Sequence, residues 1–233
     1  MRNPSAVSAQ RMAFQVGMKE TRETLKEWFH GHYRVVLPWA ALSLAIACTM
    51  FLGVWMVATW MPQSTRSVLP IFVGQNNTFS DATWILAKNS MVLLLHLLVC
   101  VAAYLARRAV PMQVQHTTGI NRFMHRHAGS VAMAAVAGLT AYSLSWQTWM
   151  LGNDLHSASQ TLHLTPAGLL IRASLHGIPE LTAVFLPLAA CLILGKNKEW
   201  NQLLAATAVC AVIAFPILII TAAIEAWVTQ GLF

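Results

Sequence analysis

Charged side chains are scarce in this sequence. Of its 233 residues, 10% are charged and 57% are hydrophobic, whereas a soluble domain carries about 25% charged residues. That deficit excludes an ordinary water-soluble globule. Apolar/polar alternation is also missing from the long apolar runs, which excludes a transmembrane β-barrel. Cysteine is sparse as well: Cys48, Cys100, Cys191 and Cys210 all lie in apolar runs, and none forms a C-x-x-C pair. They are expected to be small buried apolar residues rather than disulfides or metal ligands. The first apolar run begins only near residue 36 and exceeds the ~7–15 residues of a signal-peptide core, so no cleaved leader is expected. Internal repeats and long linkers are absent, and one domain is the expectation.

What is present is a series of apolar runs near the roughly 20 residues that a membrane-spanning helix needs. The expected fold is all-α: a polytopic membrane bundle of about five transmembrane helices, at about 36–61, 89–106, 130–152, 167–195 and 203–229. Residues 1–15 read as a flexible tail. Residues 16–34 read as an amphipathic helix, with Val16, Leu25, Trp28 and Phe29 among charges, lying along the membrane surface or docking a soluble partner. The chain thus divides into a cytoplasmic segment, 1–35, and a transmembrane domain, 36–233.

Trp55 and Trp60 near the far end of the first span fit an interfacial aromatic belt. Loops are expected at 62–87, 107–129 and 153–166. In the first, Ser80 is placed to cap a short helix, and Asn76-Asn77-Thr78 matches a glycosylation sequon of little weight. The second holds His116, His125 and His127; without cysteines or carboxylates beside them, they read as a solvated loop.

The formal charge of +7 is explained by orientation, not by nucleic acid. Twelve of the 15 Lys and Arg residues fall in 1–35, 107–129 and 196–201, against Arg66 and Lys88 on the alternate side and Arg172 within a span. Basic loops stay in the cytoplasm. The amino terminus is therefore expected inside, and with five spans the carboxyl terminus outside.

Polar residues then acquire depths. Arg172, His176 and Glu180 are spaced i, i+4 and i+8, on one helical face, with Gly177 and Pro179 weakening the helix between them. At about 1.5 Å per residue, His176 and Glu180 lie ~14 and ~20 Å below the start of their span. Asn89 and His96, Gln147 and Glu225 come to the same outer half of the bundle. Ionisable groups are costly at that depth and mark functional sites by default. Three readings fit this set. One is a buried polar network, with Arg172 paired to Glu225 and His176 bonded to a backbone carbonyl or Glu180. The second is an outward-facing polar cavity for a peptide, lipid head group or ion. The third is a metal site, zinc, drawing on His96, His176, Glu180 and Glu225; no H-E-x-x-H or comparable spacing supports it.

H-G-I-P-E-L at 176–181 resembles the H-G-x-x-E-L signature of the stage II sporulation protein M family of bacterial membrane proteins. L-A-K-N-S at 86–90 and A-A-I-E-A-W-V-T at 222–229 are similar to that family's Asn-containing segment and closing I-E-A segment. The likeness spans roughly 85–230 and departs in the basic amino-terminal segment and the His- and Arg-rich 107–129 region. The resemblance implies a multi-helix component of the bacterial cytoplasmic membrane, not an established enzyme. It implies Asn89, His176, Glu180 and Glu225 as motif positions. Two roles follow from it as expectations. The first is a scaffold or anchor for cell-envelope, peptidoglycan-remodelling proteins, as in sporulation. The other is a transport, maturation or immunity component for a bacteriocin-like peptide or an ion. Expected partners are the lipid bilayer, other membrane or envelope proteins and a second copy of the chain. No cofactor is required.

Overall fold

The computed structural model describes residues 6–30, 33–60, 78–114 and 120–229, with side chains for 15–30, 34–60, 79–105 and 138–227. Among the described residues, six α-helices make the fold: α1 (Ala6–Phe29), α2 (Val36–Trp60), α3 (Thr78–Val114), α4 (Ile120–Thr161), α5 (Pro166–Asn197) and α6 (Leu203–Ala223). Short 3-10 turns, Tyr33–Val35 and Trp200–Gln202, lead into α2 and α6, and a π-helical turn, Ile224–Thr229, prolongs α6. No strand occurs among the described residues. The fold is an all-α helical bundle, as the apolar runs require.

Four stretches are long and apolar enough to cross a membrane: Val36–Trp60, Phe79–Leu105, Pro166–Asn197 and Trp200–Trp227. Their outer faces carry Leu44, Leu52, Met91, Leu94, Leu98, Val212, Phe215 and Ile219, all exposed. A continuous apolar coat of this size is unstable in water and is solvated by lipid. The chain is a multi-pass membrane protein. Five spans were expected; the third, 130–152, lies within α4 but is not among these four.

Several helices outrun the expectations. The flexible tail over 1–15 is replaced by helix from Ala6 onward, and α1 ends at Phe29 rather than 34. The second span begins not at Asn89 but in a helix that already starts at Thr78, so Ser80 belongs to that continuous helix. The 107–129 loop shrinks, because α3 runs on to Val114 and α4 begins at Ile120. Asp154 and His156, assigned to a loop, sit on the last turns of α4. Polarity misled in each case: a helix that leaves the bilayer satisfies its own backbone and continues with polar side chains. Asn76 and Asn77, and the side chains of His116, His125 and His127, lie outside the described residues.

Contacts between helices set their directions. Ser43 Oγ on α2 donates to the Thr182 carbonyl on α5 at 2.6 Å, and Phe51 further along α2 packs beside Gly177, earlier on α5. The two helices are antiparallel. Gly53 and Gly152 bring α2 and α4 together beside Thr148 and Val57, and His156 Nδ1 donates to the Ala58 carbonyl at 2.9 Å, so these two run the same way. His96 against Phe185 and Cys100 against Pro187 make α3 parallel to α5. His176 near Glu225 makes the end of α6 antiparallel to the start of α5. The five long helices therefore alternate in direction.

Helix α5 is the centre of the bundle, with half of its apolar window buried against 11% for α3. It packs on α2, α3, α4 and α6. Its start is fixed by Thr165, whose Oγ1 accepts from Gly168 N at 3.1 Å, with Pro166 at the first helical position. Its end is fixed by Lys198 in the left-handed region, φ 63°, whose N–H reaches the Gly195 and Leu194 carbonyls. Between these caps Pro179 and Pro187 are accommodated without ending the helix. Neighbouring helices supply the packing that a lone helix would lack.

Candidate functional site

The site begins with the spacing of His176 and Glu180, one turn apart on the same face of α5. Both point toward the end of α6. There the chain changes from α to π geometry at Ile224, whose N–H is shared between the Ile220 and Thr221 carbonyls. A π turn widens the helix and rotates the side chains that follow it, a device found often at functional sites. Glu225 is the second residue of that turn. Its Oε2 comes 3.8 Å from His176 Nε2, close enough for an ion pair when the ring is protonated. The His176 side chain is 11% exposed and that of Glu225 35%, so the pair runs from the bundle interior to an accessible edge.

Helix α3 completes the group. Asn89 brings its side-chain amide to the Glu180 carboxylate. Glu180 Oε2 is nevertheless buried without a hydrogen-bond partner. The Glu225 charge acts on Glu180, and the Lys88 ammonium acts on both carboxylates. His176 and Glu225 thus pair at this junction, Asn89 bonds Glu180, and the Glu225 and Lys88 charges act on Glu180 from the π turn and from α3. Such an arrangement can bind a cation, or hold and pass a proton between the carboxylates and the imidazole.

The expected site residues divide accordingly. Asn89, His176, Glu180 and Glu225 are brought together. Arg172 stands half-buried one turn before His176 on the same helix. Gln147 uses its amide within α4, donating to Ser143 Oγ at 3.0 Å. His96 lies deeper on α3, its ring edge-on to Phe185 at 5.7 Å. The Val92 carbonyl one turn back approaches that ring, yet His96 Nδ1 is left without a bond of acceptable geometry.

The metal expectation is corrected by the same geometry. Among the described residues, no group of three or more His, Cys, Asp or Glu side chains is close enough to hold a metal ion. His96, His176, Glu180 and Glu225 therefore do not assemble as a zinc centre.

Lys88 is the residue that sequence reasoning missed. It stands next to Asn89 in L-A-K-N-S, but with the span begun at residue 89 it counted only as a loop charge. The signal was there: S-D-A-T-W-I-L-A before it already has helical character.

The cysteines also depart in part from expectation. Cys48 is exposed on α2, facing lipid, while Cys100, Cys191 and Cys210 are buried together from three helices. Cys100 Sγ donates to the Pro187 carbonyl at 3.2 Å and touches Cys191.

No protein family, no curated protein and no solved structure matches the chain.

Proposed function

We propose that this chain is a multi-pass component of a bacterial cell-envelope assembly in the cytoplasmic membrane, and that it engages its partner or cargo through the Glu180–Glu225–His176 centre. In this reading the amino terminus is cytoplasmic, the five alternating helices each cross the bilayer, and the centre opens toward the outer side. The stage II sporulation protein M resemblance supports the membrane-component role, since its H-G-x-x-E-L and I-E-A elements are the segments that supply His176, Glu180 and Glu225. The observation that carries the proposal is that two carboxylates from different helices act on one another within an apolar bundle, one oxygen of Glu180 buried and unbonded. Like charges at that depth are stabilised by a cation or by sharing a proton. A cationic group is the fitting ligand: a lysine or arginine side chain of an envelope protein, or the amine of a peptide.

Gentle detergent extraction followed by affinity purification tests this. The wild-type protein should bring down a discrete membrane or envelope partner, and Glu180→Gln and Glu225→Gln variants that keep the wild-type helical signal and elution volume should lose it. Equal recovery of the partner by these variants overturns the proposal.

A second reading, transport or maturation of a peptide or ion, is favoured by the path from the half-exposed Glu225 inward to His176. It requires peptide or ion flux into proteoliposomes that the same variants abolish.

A further inference from the structure

Helix α1 turns one face to the bundle and sorts its charges on the others. The inward face is Gly17, Thr21, Thr24 and Trp28, spaced by about one helical turn. A Cβ at Gly17 would lie 2.5 Å from the Tyr104 hydroxyl and 2.6 Å from Leu204, so the two backbones approach closely there. Trp28 packs edge-on to Trp39, ring centroids 5.5 Å apart. These three contacts share one property. Tyr104 lies three residues before the Arg107-Arg108 pair that closes the apolar run of α3, and Leu204 and Trp39 lie in the first turns of the spans Trp200–Trp227 and Val36–Trp60. Helix α1 is thereby held at the level where three spans end, which is the level of the lipid head groups.

The remaining surface of α1 is divided. Lys19, Arg22 and Lys26 fall at i, i+3 and i+7 and form one exposed row. Beside it, on the same flank, stand Met18, 60% exposed, and Phe29, 86% exposed. Glu23 and Glu27 occupy the other flank. Arg34, before the start of α2, is also exposed. A cationic row edged with large apolar side chains is the pattern of a helix seated in an anionic interface, with the acids turned away from it.

We infer that α1 is a lipid-binding element, its Lys19–Arg22–Lys26 row with Phe29 and Met18 clasping the head groups of anionic phospholipid beside the bundle. The occupant is bilayer lipid. The charge matches it, and the anchoring of α1 to the ends of three spans holds the row at head-group height.

The test uses the full chain in nanodiscs of phosphatidylcholine alone and in nanodiscs containing phosphatidylglycerol. Wild-type Tm should rise in phosphatidylglycerol, and 1 M NaCl should remove the rise, because the Debye length falls to about 3 Å. The triple variant Lys19→Gln, Arg22→Gln, Lys26→Gln should keep the wild-type Tm in phosphatidylcholine and lose the rise. Each cation near the surface is worth roughly fivefold in lipid affinity, so the triple variant should retain phosphatidylglycerol on isolation on the order of 100-fold less well. Glu23→Gln should leave the rise intact. A wild type indifferent to phosphatidylglycerol overturns the inference, and so does a triple variant that keeps the full rise. If an acidic soluble protein covers the row instead, the wild type shows no lipid dependence, which is the first of these results.

Discussion

His176 Nε2 on α5 lies 3.8 Å from Glu225 Oε2 on the π turn that follows α6. The contact ties the start of one buried span to the end of its antiparallel neighbour, and its Glu225 side lies in the π turn that begins at Ile224. Everything else at the site is arranged around it: Glu180 one turn along α5, Asn89 and Lys88 from α3.

Removing one acid should therefore separate function from stability. Glu180→Gln deletes a like charge next to Glu225 and keeps a group that Asn89 can meet. Its unfolding free energy in detergent should stay within about 1 kcal/mol of wild type, since such pairs carry modest net energy. Partner recovery or flux should be lost. A loss of several kcal/mol in Glu180→Gln would show instead that the carboxylate is a structural strut.

Close helix approach predicts a sharp contrast among glycines. At Gly152 an added Cβ meets Val57 at 2.5 Å and the Val54 carbonyl at 3.0 Å, and backbone cannot step aside as a flexible side chain can. Gly152→Val should cost about 1–3 kcal/mol by overpacking the α2–α4 contact. At Gly138 nothing lies within 4 Å. Gly138→Ala should be neutral or stabilising by up to ~1 kcal/mol through helix propensity. Thermal unfolding of both variants in one detergent checks the pair.

Two hydroxyls should rank by what they hold. Ser43 is fully buried and bonds across helices to the Thr182 carbonyl, so Ser43→Ala should cost about 0.5–1.5 kcal/mol. Thr165 caps α5 with one bond to Gly168 N, and Thr165→Ala should cost about 1 kcal/mol, concentrated at the helix start. Amide exchange resolves the two. Protection should fall along the α2–α5 contact in the first variant and within the first turn of α5 in the second.

Thiol labelling should report the bundle directly. Cys48 is exposed on the lipid face of α2, while Cys100, Cys191 and Cys210 are buried. A neutral, membrane-permeant maleimide should modify one thiol per folded chain and four after denaturation, and a charged reagent should modify none before denaturation. Rapid reaction of all four in the folded protein would contradict this packing.

Much of this molecule was legible before any coordinates. Apolar runs marked the spans, and the i, i+4 spacing put His176 and Glu180 on one face. Less visible was where helices stop. Thr78–Trp84 precedes the apolar run of α3 and holds polar groups, yet it is the same helix, because backbone hydrogen bonding continues past the apolar boundary. That error hid Lys88. The partner of His176 was hidden for another reason: a backbone carbonyl or Glu180 was expected for it, with Glu225 assigned to Arg172, and helix rotation brought Glu225 to 3.8 Å from the ring.

Composition and periodicity by themselves determined that this chain is helical and membrane-embedded, and which charged side chains fall within its long helices. Those properties are sums over neighbouring residues, so a linear reading suffices. Tertiary structure alone decided that Glu225 meets His176 and Asn89 meets Glu180, that His96 does not join them in a metal site, and that three cysteines converge. Such outcomes depend on the direction, register and rotation of separate helices, and a single π turn is enough to change them.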